Sequence, residues 1–199
     1  MPDALGSAVT NTNPNSCVTV QCDRLAKPWI ATEKIKTFMA IWESGRLEGT
    51  TRIFYSNHTH IDVPVSGGFI LLVYPDDQGN PTVGCGHLVV PEDNLRIGQS
   101  ITVARARELL NQDLTKTERA INSKVHIPLH KYEYDALVSI IFNCGVGNGL
   151  TELSHRVNHG DYENIPRFIT GFRCGNPRLR QRRRSESNVF AQGIYDASH

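Results

Sequence analysis

Residues Tyr74 to His87 read YPDDQGNPTVGCGH, and they decide how the rest of the chain is understood. Asp76 stands just before DDQGNP, a cluster of the residue types that tight turns require. Thr82 follows six positions later, on what reads as the returning strand of a β-hairpin. Even offsets on a strand share a face, so Thr82, Gly84 and Gly86 lie on one side and the glycines leave it bare. Such a strip beside an acid and a hydroxyl suits the close approach of an extended polar ligand. An ordinary exposed hairpin with glycines at bulges would give the same spacing.

The ordered pattern Tyr-x-Asp, x-x-Gly, x-x-Thr, x-Gly-x-Gly-His resembles the active-site hairpin of bacteriophage-type lysozymes, glycoside hydrolase family 24. Tyr74, Asp76, Gly79, Thr82, Gly84, Gly86 and His87 fill its fixed places. The resemblance extends over about residues 32–196. ELLNQDL and YDALVSIIFNCGVGN are similar to the long interlobe helix and the buried central helix of those enzymes. RRRSESNVF, residues 182–190, resembles their Arg-Arg-x-x-Glu-x-x-x-Phe closing segment. The implied architecture is α+β: a small sheet lobe and a larger helical lobe with a cleft between them.

Helical periodicity locates the elements around the hairpin. From Thr32 to Glu43, Ile35, Phe38, Met39 and Trp42 recur at helical spacing, with Thr32 as N-cap and Ser44-Gly45 as the stop. Glu43 thus ends an amphipathic helix at its core-facing edge. Burial at such an edge disfavours a charged carboxylate, and a retained proton is what a general acid needs. A second helix is expected over 101–121 with Thr102 as cap. A third, apolar almost all round at 134–142, marks a buried centre, stopped by glycines at 145–149. Further helices are expected at 150–159, 161–171 and 180–192.

One large departure separates this chain from the family it resembles. The family's acid is a glutamate about nine residues before the hairpin aspartate, whereas Glu43 lies 33 positions before Asp76. An insert of roughly 24 residues, within about 46–70, contains TRIFYSN and HIDVPV followed by GGFILLVY, which read as extra strands. The insert leaves two candidates for the acid. Helical phase favours Glu43, while Glu48, followed by Gly49 with Tyr55 seven positions on, reproduces the family's local spacing.

The resemblance implies a muramidase that cuts the β-1,4 bond between N-acetylmuramic acid and N-acetylglucosamine in peptidoglycan. In it the glutamate protonates the leaving oxygen, ionised Asp76 activates water, and Thr82 positions that water. The family uses inversion, for which the carboxyls stand about 6.5–9.5 Å apart rather than about 5–5.5 Å. Tyr74, Gly84 and Gly86 would line or shape the cleft, and His87 would hold the lobe junction through a carboxylate. Two other functions fit parts of the pattern. A lytic transglycosylase would use Glu43 alone, as Trp42-Glu43-Ser44 suggests, and an inactive wall-binding module would have its cleft blocked by the insert.

Composition narrows the classes further. The 199 residues, 39% hydrophobic and 21% charged, suit one globular domain. No apolar run approaches the roughly 20 residues of a membrane span. Net charge is +1, yet Arg178, Arg180, Arg182, Arg183 and Arg184 crowd one segment. They read as a helix start with solvated arginines, one or two packing over the core through their stems. Nucleic-acid binding has no recognition motif behind it. The five cysteines, Cys17, Cys22, Cys85, Cys144 and Cys174, lack zinc-finger spacing, and Cys144 and Cys174 read as buried thiols. Cys85 with His87 lacks an orienting third group for a thiol nucleophile. His58, His60 and Asp62 form a short run without a further ligand pair, so neither a metal nor a cofactor is expected.

Residues 1–29 read as a linker ahead of a catalytic domain at 30–199. They show no basic start followed by an apolar stretch, so no cleavable signal peptide is expected, and export by other machinery or membership of a longer polypeptide is expected instead. A delivered antibacterial effector acting as a monomer in the periplasm or cell wall, with an immunity protein as partner, is consistent with this start.

Overall fold

The computed structural model describes residues 27–173 and 177–198. Helix α1 covers Glu33–Ser44. Thr32 caps it through its hydroxyl, which accepts from the Ile35 N–H at 3.2 Å, and Gly45 ends it at φ +81°, a left-handed geometry that favours glycine. Five antiparallel strands follow in sequential order: β1 Gly49–Phe54, β2 His60–Ser66, β3 Phe69–Pro75, β4 Pro81–Gly84 and β5 His87–Leu88. The insert therefore forms a complete hairpin, β1–β2, added to the edge of the expected sheet.

Alternation explains why this hairpin stays on. Ile53 faces Ile61 across the β1–β2 ladder. With Val63, Val65, Ile70, Leu72 and Tyr74 they make a small apolar cluster on one sheet face. On the other side Val73 and Val83 pack against Leu109 of the next helix. Strand β3 bulges between Ile70 and Tyr74. Within that bulge, Val73 donates to Gln99 O and Ile101 to Leu71 O, so the chain entering the second helix is stitched to the sheet.

The helical lobe contains α2 Val103–Lys124, α3 Lys131–Cys144, α4 Asn148–Asn158, α5 Ile165–Gly171 and α6 Pro177–Gln192. Thr102 caps α2 through its hydroxyl. Helix α3 is the expected central helix, buried continuously from Glu133 to Ile141. Its one carboxylate on the α1 side, Asp135, accepts from the Thr32 N–H at 3.0 Å and the Tyr195 hydroxyl at 2.6 Å. Burial raises the Asp135 pKa, and these donors partly offset it.

Several boundaries differ from the sequence reading. Helices α4 and α6 begin earlier, at Asn148 and Pro177, and α5 begins later, at Ile165. Residues 1–26 of the expected linker lie outside the described residues, but its last part belongs to the domain. Trp29 is buried, stacks near Tyr134 with ring centroids 5.5 Å apart, and bonds through its backbone N–H to Asn122 at 2.9 Å. One aromatic residue in a Pro- and Asn-rich stretch carries no period, so only packing reveals it. Cys85 is buried and Cys144 half-buried, both as free thiols. Cys17, Cys22 and Cys174 lie outside the described residues.

The insert and α1 meet at Gly68. A side chain there would stand 3.1 Å from Ala40 Cβ and from Ile41, on a backbone at φ +85°. Gly98 has the same φ with nothing within 4 Å. Gly68→Ala should therefore cost about 3 kcal/mol, and Gly98→Ala only about 1–2, the backbone share alone. Equal losses in urea unfolding would contradict this packing of the insert.

Candidate active site

Glu43 stands one residue before the end of α1, and its carboxylate meets Arg182 rather than an apolar wall. Arg182 Nη1 donates to Glu43 Oε1 at 2.7 Å, with the arginine 5% exposed and the glutamate side chain 35% exposed. Glu43 Oε2 has no protein partner among the described residues. The expected desolvated carboxyl is thus a half-exposed, ion-paired one. Arg182 is itself held by Glu186, one turn along α6, through Nε at 3.1 Å. Glu186 also pairs with Arg183 Nη1 and accepts from Ser139 Oγ at 2.6 Å. Arg183 goes on to Phe172 O and Asn143 Oδ1.

Two arginines of the expected solvated run are therefore in the core. They are tolerable there because each meets a carboxylate and further acceptors. The pattern i, i+3 and i+4 between Arg182, Arg183 and Glu186 was visible in the sequence. Their burial was not, since a run of five arginines ordinarily reads as a wet face. Arg180 and Arg184 do remain exposed.

Asp76 is fixed by its own turn. Its Oδ1 accepts from the Gln78 and Asn80 N–H groups at 2.9 and 2.8 Å, and Oδ2 accepts from Asn80 Nδ2 at 3.1 Å. These bonds, the Asn80 backbone N–H foremost, hold the carboxyl below the usual carboxylate range and keep it ionised. Gly79 makes the turn possible at φ +85°. Thr82 is buried and lies opposite Tyr74 in the β3–β4 ladder; its hydroxyl donates to Asn80 O at 3.3 Å. Tyr74 sits close to both acids. Burial, then the negative charges of Glu43 and Asp76, push its hydroxyl up to about 12. Glu43, Tyr74, Asp76 and Thr82 are thus brought to one region.

Glu48 is used differently. Its Oε1 accepts from the Gly67 N–H at 2.8 Å and closes the β2–β3 turn. The glycine strip is also not open throughout: a side chain at Gly84 would touch Ala106 of α2 at 3.8 Å. Bareness at that point admits a helix. Gly86, in the β4–β5 turn, has open space. Cys85 is fully buried, and burial pushes its thiol well up, which argues against a thiolate nucleophile. Asp62 is ion-paired with Arg52 at 2.7 Å, so the histidine run of the insert loses its carboxylate to that arginine.

His87 joins the lobes as expected, with one more partner than expected. Nδ1 lies 3.0 Å from Asp113 of α2, and Nε2 lies 2.9 Å from Asp93 in a short 3-10 helix, Pro91–Asp93. Burial alone would lower the imidazole pKa, but the two carboxylates overcome it and leave it raised. Burial also works to raise Asp93, yet bonds from His87 and the Val90 N–H leave it lowered, whereas Asp113 stays raised by burial.

Removing Glu186 leaves Arg183 with no carboxylate and Arg182 with Glu43 alone, so Glu186→Ala should lose about 3–5 kcal/mol in equilibrium unfolding. A loss below about 1 kcal/mol would mean that the arginines escape to water. For His87 the folded pKa is raised, so its stabilisation is complete below the unfolded value of about 6.5 and is lost as pH rises through the folded one. The melting-temperature gap between wild type and His87→Asn should be widest near pH 5.5 and narrow by about pH 9. A gap that stays constant would contradict an imidazolium at this junction.

Comparison with known proteins agrees with this geometry. Residues 65–186 match the phage lysozyme family. The endolysin of Salmonella phage P22 is 45% identical over 76 residues, which are 38% of this chain and 52% of that protein. The chain thus spans about half the length of that relative. The endolysin of the Acyrthosiphon pisum secondary endosymbiont phage 1 is 31% identical over 132 residues, 62% of this chain and 88% of the relative. A solved structure of a P22 lysozyme point variant superposes with TM-score 0.61 at 26% identity, covering 82% of this chain and 99% of that one. An aspartate fixed in a glycine-bearing turn, a glutamate at the end of the first long helix and a family match over most of the chain lead to one assignment: this protein belongs to the phage lysozyme family of glycoside hydrolases.

Proposed function

We propose that this chain is a muramidase that hydrolyses the β-1,4 bond between N-acetylmuramic acid and N-acetylglucosamine in peptidoglycan. The observation that carries the reading is the pairing of two differently held carboxyls beside Tyr74. Glu43 is clamped through one oxygen by Arg182, and Asp76 is kept ionised by three hydrogen bonds from its own turn.

On this reading Glu43 is the general acid. Arg182 fixes its rotamer through Oε1, and Oε2 is the oxygen that hands its proton to the departing glycosidic oxygen. Asp76 draws a proton from water on the opposite face of the sugar and stabilises positive charge growing on the anomeric carbon. The Thr82 hydroxyl orients that water. Inversion is the expected outcome. Glu48 is the weaker candidate because its carboxylate already closes the turn at Gly67. Water activation by Asp76 and Thr82 is what separates this reading from a transglycosylase, which excludes water as acceptor.

Action at the cell wall follows from the substrate. A monomer delivered to rival cells as an antibacterial effector, with an immunity protein over the cleft, extends the same reading. Among the described residues no helix is long and apolar enough to cross a membrane.

Digestion of purified peptidoglycan, with products resolved by mass spectrometry, tests the chemistry. Wild type and Glu48→Gln should release muropeptides with reducing ends. Glu43→Gln and Asp76→Asn should fall by at least about a hundredfold. Anhydro products that survive Asp76→Asn would overturn hydrolysis, and loss in Glu48→Gln alone would move the acid.

A further inference from the structure

The inserted hairpin does more than widen the sheet. Strand β2 pairs with β3 only at Val65–Ile70 and Ser66–Phe69, and beyond that base the two hairpins diverge. In a meander of antiparallel strands the β1–β2 turn and the β3–β4 turn emerge at the same end of the sheet. They meet again there: the Ser56 N–H donates to Asp77 Oδ1 at 2.8 Å. Asp77, the second acid of the DDQGNP turn, therefore anchors the insert to the turn that holds Asp76.

Around this anchor, at the tips of the two hairpins, lies a cavity of about 390 Å³. Tyr55, Asn57, Thr59, Asp76, Asp77 and Gly79 line it, and Glu43, Tyr74 and Arg182 do not. Asp76 thus lines this cavity as well as belonging to the candidate site. The lining combines an aromatic ring, a side-chain amide, hydroxyls and carboxylates, with no lysine or arginine. That mixture suits a neutral sugar, whose C–H face lies on a ring while its hydroxyls exchange hydrogen bonds with amide and carboxylate groups. A phosphate or an anionic wall polymer would meet only like charge. The Tyr55 hydroxyl oxygen is buried, so Tyr55 offers the cavity its ring rather than a hydrogen bond.

We propose that the tip of the β1–β2 hairpin forms an added saccharide subsite beside Asp76, lengthening the glycan-binding cleft by one sugar. This rests on the muramidase reading. The Asn57 side chain is oriented within its turn. Its Oδ1 accepts from the Thr59 N–H and hydroxyl at 3.0 and 2.6 Å, which directs its amide NH₂ away from the turn. Tyr55 supplies the ring.

Cleavage of peptidoglycan glycan strands of graded length by wild type, Tyr55→Ala and Asn57→Ala tests the subsite. Wild type should gain in kcat/KM when the strand becomes long enough to reach the added position. Both variants should lose about tenfold on long strands, keep the wild-type rate on the shortest strand cleaved, and melt at an unchanged temperature. Asn57, exposed in a turn, keeps the test decisive should Tyr55→Ala prove unstable. Variants that match wild type at every length, or cut faster because the hairpin obstructs the cleft, overturn the subsite and leave the muramidase reading intact. A wild type that cleaves no strand overturns both.

Discussion

The architecture depends on one buried charge network: Glu43 and Glu186 against Arg182 and Arg183, completed by Ser139, Asn143 and the Phe172 carbonyl. Glu186 meets both guanidinium groups in the core and the half-exposed Glu43 meets Arg182 at its edge, so helix α6 can lay arginines on α3 with each facing a carboxylate. Buried ion pairs are poor sources of net stability, yet breaking one is costly because the remaining charge has nowhere to go. What such a network supplies is position. It links α6, α3 and the end of α5 to the last turn of α1, and so fixes the carboxylate that the proposed chemistry needs.

Asp76 is placed by an independent device. Its turn closes on its own carboxylate, and the sheet that carries the turn is anchored twice to the long helix α2. One anchor is the stitched bulge at Leu71–Val73; the other is His87, whose ring bridges Asp113 and Asp93. Each carboxyl therefore takes its geometry from a different lobe, and the junction between lobes sets how they face each other. On the proposed reading, a substrate strand entering between them would meet one acid from each side. This separation also explains how an insert of some two dozen residues is tolerated between Glu43 and Asp76. The added hairpin extends the sheet outward, with its own apolar face, and leaves both anchors in place.

Local chemistry that the chain writes into adjacent residues was legible. Caps at Thr32 and Thr102, the glycine stop at Gly45, the apolar run of α3 and the turn at Asp76 to Asn80 all act over a few positions, and all appear where spacing puts them. The two-strand reading of the insert succeeded because alternation survives when one face is covered. Partnerships between distant residues were not legible. Arg182 and Arg183 looked like part of a solvated run, because their acceptors lie on α1, on α3 and just past α5 as well as on α6. Asp93 sat in a loop with nothing to connect it to His87. Trp29 belonged by composition to a linker, and only Asn122 and Tyr134 draw it into the core. Gly84 was correctly singled out as a place where something approaches the backbone, but the approaching group is Ala106 of α2. The proposal of Glu43 over Glu48 rests on what each carboxylate touches, which spacing alone does not contain.

If Glu43 and Asp76 flank the bond to be cut, a crystal structure of Glu43→Gln with a bound peptidoglycan oligosaccharide will show it most directly. A glycosidic oxygen should lie within about 3 Å of the residue 43 side chain, with Asp76 on the opposite face of the same sugar. A glycan lying elsewhere on the molecule, or one with residue 48 against its glycosidic oxygen, would refute that placement.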